Sequence, residues 1–124
     1  MLNGFTTETA PLTDAERVAM WKLKDRLLQA YGKENAVYND ELQRITGLSS
    51  ARVRKCINIL RTSGEVKCLL ASSRGYYISE NESEIKAYEE SLMGRELAIR
   101  QVRESIASQR LARFNGGYQG KLFL

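Results

Sequence analysis

Apolar residues recur at helical spacing in four stretches of this 124-residue chain, and the breaks between them fall on glycine or short polar runs. In the first stretch Thr13-Asp14-Ala15-Glu16 has the capping-box pattern, and Met20, Leu23, Leu27 and Tyr31 follow, reinforced by Trp21 and Leu28. Gly32 is a natural C-cap, so the pattern predicts a first helix of about five turns, its aromatic and aliphatic residues in the core. In the second, Asn39 or a neighbour caps a short helix with Leu42 and Ile45 facing inward, and Gly47 stops it. Leu48 is buried in the turn, and Ser49 caps the third helix.

That third helix, 49–62, reads SSARVRKCINILRT, with Val53, Cys56, Ile57 and Leu60 on one face. At 100° per residue, Ala51, Lys55, Asn58 and Thr62 point the opposite way, flanked by Arg54 and Arg61 on one side and Arg52 on the other. Short helix, Gly-apolar-Ser turn, second helix is the helix-turn-helix pattern, and 41–60 follows it along its full length. One departure is Gln43, which stands where such motifs usually carry a small residue to let the helices cross closely.

After Gly64 the period changes. Residues 65–70 and 75–78 read as two short strands joined by the turn 71–74, with Val66, Cys68, Tyr76 and Ile78 inward and Ser72, Ser73 and Arg74 at the tip. From residue 82 to 114 the helical pattern resumes. Ile85, Leu92, Ile99 and Ile106 mark one heptad seam position, and Tyr88 and Val102 the other. Arg95 and Gln109 share that second position and weaken the seam. Arg95 and Gly94 disturb a parallel register, so the pattern leaves the orientation of a helix pair open. About four heptads span on the order of 40 Å, more apolar surface than a small domain covers. Self-association is therefore expected, as a homodimer through this C-terminal helix; the alternative is a helix folded back on its own domain. Residues 1–12 are expected to be a mobile arm. Residues 115–124 are expected to be a flexible tail with an apolar end, either frayed or a short docking peptide. The fold class expected is mainly α with a small β-hairpin: a winged helix-turn-helix domain over 13–79, then the long helix over 82–114.

Charge changes this picture by its position. The net charge is +4, yet residues 49–79 carry six basic and one acidic side chain, so the remainder is near neutral. A concentrated basic surface points to a phosphate-backbone partner. The absence of histidine removes the commonest general base and metal ligand. No Gly-rich phosphate loop, nucleophile elbow or paired-cysteine motif is present, so no enzyme, cofactor or metal is expected. Cys56 and Cys68 lack metal-ligand spacing and are expected as reduced core thiols of a cytoplasmic protein. No apolar run is long enough for a membrane span, and no secretory leader is read at the N-terminus.

Residues 17–113 together resemble small winged-helix proteins of phages and prophages. The resemblance lies in the aromatic-containing first helix, the helix-turn-helix, and Ser73-Arg74-Gly75-Tyr76-Tyr77-Ile78 closing the wing. It continues in Ser83-Glu84-Ile85 opening the last helix, and in Tyr88, Leu92 and Arg95 within it. It implies DNA binding and a mobile-element origin.

The expected partner is double-stranded DNA, with the basic face of 49–62 in the major groove. Arg54, Lys55 and Asn58 are candidates for base edges, Arg suiting guanine and Asn adenine. Ser49, Ser50, Arg52, Arg61 and Arg74 are candidates for phosphates, and the tip residues Ser72, Ser73 and Arg74 for phosphates or a minor groove. Transcriptional regulation is the leading expectation. The alternatives are a replication-origin binder, or an interaction module that recruits or inhibits a host replication or transcription protein.

Overall fold

A computed structural model describes residues 11–115. The expected arm and tail fall almost wholly outside these residues. Among the described residues the chain forms four α-helices, α1 (Asp14–Leu27), α2 (Asn39–Thr46), α3 (Ser50–Ser63) and α4 (Glu82–Phe114), and one hairpin, β1 (Leu69–Ser72) and β2 (Gly75–Ile78), in the order α1-α2-α3-β1-β2-α4. The chain divides into two compact units, Met1–Ile85 and Lys86–Leu124, with the boundary inside α4.

In the first unit α1, α2 and α3 pack on one another. Their apolar stripes supply Ala19, Leu23 and Leu27, then Leu42, then Val53, Cys56, Ile57 and Leu60 to one core, closed by Val37, Leu48, Val66, Leu69 and Ile78. Each fully buried Leu or Ile contributes about 1.5–3 kcal/mol, so the core and not helix propensity holds the short α2 in place. Gly47 ends α2 in the left-handed conformation, and its N–H donates to the Gln43 carbonyl at 2.7 Å. The Gln43 amide donates to the Asn39 side chain at 2.6 Å, which draws it along its own helix. Ser49 caps α3 by accepting from the Arg52 N–H.

Three expectations are corrected. First, α1 stops at Leu27, short of Gly32, and the chain turns so that Tyr31 forms a parallel bridge with Ile78. Trp21 therefore lies on the outer face, 78% exposed, and Leu28 and Tyr31 are also exposed. The extra aromatic and aliphatic residues widened the apolar stripe beyond what α2 and α3 cover.

Second, β1 begins at Leu69, four residues later than the pattern predicts. The Val66 N–H donates to the Leu60 carbonyl, which seats Val66 in the core while the chain is still turning. Cys68 then takes a left-handed φ of 57°, which breaks the alternation and leaves it exposed. Of the two thiols only Cys56 is in the core, and burial raises its pKa above the ordinary thiol value.

Third, the hairpin has a neighbour on its other side. Val37 and Tyr76 exchange both backbone hydrogen bonds at 2.9 Å, and Ile78 donates to the Ala30 carbonyl at 2.7 Å. This places β2 between β1 and the segment that links α1 to α2. Gly75 is dictated by that approach: its φ is +112°, and a Cβ there would lie 2.1 Å from the Val37 carbonyl oxygen. Tyr77, whose alternation puts it outward, is buried instead, and its hydroxyl donates to Glu84 at 2.9 Å.

Candidate nucleic-acid interface

Glu16 organises the base of this surface. It sits in the first turn of α1, where it both completes the capping box with Thr13 and faces α3. Its carboxylate accepts from the Thr13 N–H at 2.9 Å, from Arg52 Nε at 3.1 Å and from Lys55 Nζ at 3.1 Å. Arg52 also donates to the Thr13 hydroxyl at 2.9 Å. With only 2% of the residue exposed, a carboxylate here is tolerable because both of its oxygens meet donors, two of them cationic. The Thr13 amide, and then the two cations, hold its pKa down to about 2 from 4.5, against the opposing effect of burial.

This network divides the basic helix. Arg52 and Lys55, three residues apart, turn toward α1 and are partly neutralised by Glu16. The expected centre of the open face was Lys55; the structure puts that residue at the edge. Before its last residue, the exposed positions are Ala51, Arg54, Asn58 and Thr62, which form one stripe along α3. Arg54 and Asn58, four residues apart, stand together on it. The Arg54 guanidinium donates to the Ser50 hydroxyl at 2.6 Å, which holds it against the start of the helix, whereas Thr62 donates to the Asn58 carbonyl at 2.8 Å. Arg61 is half-buried beside this stripe.

At the wing, Ser73 and Arg74 are exposed and form the two-residue turn between the paired Ser72 and Gly75. The Ser72 hydroxyl accepts from the Arg74 N–H and donates to the Gly75 carbonyl, so it stiffens the tip from within. Ser49 is exposed but occupied as the α3 cap. Lys67, which contributes to the basic count of this region, donates to the Gly64 carbonyl that ends α3.

The structure thus gathers Arg54 and Asn58 on one outward stripe, with the half-buried Ser50 holding Arg54 at its start, and presents Ser73 and Arg74 on a separate turn. It assigns Arg52 and Lys55 to a contact between helices. Glu16 is the residue that sequence reasoning missed as part of this surface. Its only signal was the capping box, which accounts for one of its partners and says nothing about α3. Among the described residues no cluster of His, Cys, Asp and Glu is placed to hold a metal ion, and no helix is long and apolar enough to cross a membrane. Comparison with family models, curated proteins and solved structures finds no match for this chain.

Proposed function

We propose that the protein is a sequence-specific double-stranded DNA-binding protein, a cytoplasmic transcriptional regulator of phage or prophage origin that works as a homodimer through α4. The observation that carries this reading is the outward stripe of α3, where Arg54 and Asn58 stand side by side and, among the described residues, Arg54 forms no ion pair. Arg presents a bidentate fork to guanine O6 and N7, and Asn a donor and an acceptor to adenine N6 and N7. Glu16 supports the reading indirectly. By locking Arg52 and Lys55 to α1 it fixes the roll of α3 about its axis, so the two readers keep one orientation. Arg74 at the wing tip supplies a phosphate contact away from the helix, as does Arg61 beside the stripe.

Selection of bound sites from random duplex DNA, followed by titration of the selected site at rising salt, tests this directly. An enriched motif is expected, with affinity falling steeply as salt rises, by about 0.9 in logarithmic slope for each phosphate neutralised. No enrichment, with binding insensitive to salt, would instead favour the winged helix as a docking module for a host replication or transcription protein.

A further inference from the structure

We propose that α4 pairs with α4 of a second copy of this chain in an antiparallel coiled coil, Glu89 and Glu96 of each copy meeting the partner's Arg110 and Arg103. This rests on the homodimer reading above and assigns the orientation that the heptad pattern left open.

The helix runs unbroken through Gly94 and buries none of its residues. Its seam carries exposed Leu92, Ile99, Val102 and Ile106, with Ile99 69% and Val102 62% exposed. Apolar side chains repeated on one line of a continuous helix call for a matching line, and a second copy provides it. The flanks of the seam then decide the direction. On one flank, at every seventh residue, stand Glu89, Glu96, Arg103 and Arg110, acidic in the first half and basic in the second. Among the described residues none of these four takes part in an ion pair within the chain. On the other flank, beyond Glu84, which accepts from Tyr77 and Ser79 of the first unit, stand Ser91, Ala98, Ser105 and Ala112, all small and uncharged.

In a parallel pair each flank faces the opposite flank of its partner, so the charged line would lie against serine and alanine and form no ion pairs. It would also set Arg95 against the partner's Arg95 within the seam. In an antiparallel pair each flank meets itself reversed. Glu96 then faces the partner's Arg103 and Glu89 the partner's Arg110, on both halves of the two-fold. The small flank also meets itself, Ala98 beside the partner's Ser105, and lets the backbones come close. Ile99 packs against the partner's Val102 at the centre. Arg95 lies along the partner's Ile106, its stem covering apolar surface while its head reaches water. The two-fold falls between Arg100 and Gln101, so the two Ile85 residues lie about 46 Å apart along the coil.

Two full-length double variants test the orientation: E89R/E96R, with an all-basic flank, and R103E/R110E, with an all-acidic one. Sedimentation velocity over a dilution series reads association without any DNA, and far-ultraviolet circular dichroism reports whether each variant keeps its helix. The wild type is expected to dimerise. Each variant alone is expected to dissociate at least about tenfold more readily, and an equimolar mixture to form a 1:1 heterodimer. Either variant dimerising alone like the wild type, or helical variants that fail to combine when mixed, would overturn the antiparallel pair. A monomeric wild type would overturn the homodimer reading itself. A dimer that selects no DNA motif would fail only the DNA-binding reading.

Discussion

Two helices of this protein, α3 and α4, carry apolar residues at regular helical spacing, yet they end in opposite environments. In α3 all four members of the stripe, Val53, Cys56, Ile57 and Leu60, are buried. In α4 none is. The same contrast holds for charge. Arg52 and Lys55 of α3 find a carboxylate on α1, whereas Glu89, Glu96, Arg103 and Arg110 of α4 make no ion pair among the described residues. A helical stripe specifies that a partner is required, and the partner decides whether the requirement is met inside the chain. For α3 it is met by α1 and α2, and only the outward stripe stays open. For α4 no residue of the stripe is buried among the described residues.

The sharpest way to break this contrast is to truncate one apolar residue on each helix. Leu60→Ala opens a cavity in the core of the first unit and is expected to cost about 2–5 kcal/mol in denaturant unfolding. Ile99→Ala is expected to leave the unfolding of that unit unchanged and to weaken association in sedimentation. Equal losses of domain stability from the two substitutions would show that α4 is covered within its own chain.

Next in size is the Glu16 network. Its folded pKa of about 2 lies below the ordinary 4.5. The carboxylate therefore adds stability that is complete above about pH 4.5 and is lost as pH falls toward 2. The size is on the order of 3 kcal/mol. Glu16→Gln is expected to destabilise the protein by about 2–3 kcal/mol at neutral pH and by almost nothing at pH 2. A variant whose unfolding free energy follows pH as the wild type does would remove Glu16 from this role.

Smaller still are the effects on binding, which separate the two sides of α3. Arg54→Ala is expected to cost about 1–3 kcal/mol on the selected duplex, to relax preference at one base pair, and to leave thermal unfolding unchanged. Lys55→Ala is expected to do the reverse, lowering stability more than it lowers sequence preference. Arg74→Ala is the smallest: weaker binding to all sequences alike, with the salt slope reduced by about 1. A base-specific loss from Arg74→Ala would move the wing tip from phosphate contact to sequence reading.

The order of elements was legible along the chain because each has a local cause. Thr13 and Glu16 cap α1, Gly47 and Ser49 bracket the turn, Gly64 ends α3, and the stripe of α3 matches the face that is buried. The misread parts depended on contacts between distant residues. Val37 joins β2 as a single bridging residue, with no apolar alternation around it to announce a strand. Trp21 and Cys68 carry apolar side chains, but exposure depends on what lies opposite, and nothing covers them in their unit.

The same division runs through the candidate interface. The sequence by itself determined that α3 is basic, amphipathic and held between a turn and a wing, because spacing, caps and glycines act over a few residues. Which of its cations face outward was decided by the tertiary structure alone. Thirty-six residues separate Glu16 from Arg52, and only the packing of α1 on α3 brings them together. That contact draws Arg52 and Lys55 toward α1 and leaves Arg54 with Asn58 on the open face, because a buried carboxylate requires the charges that stabilise it to stay within hydrogen-bond reach.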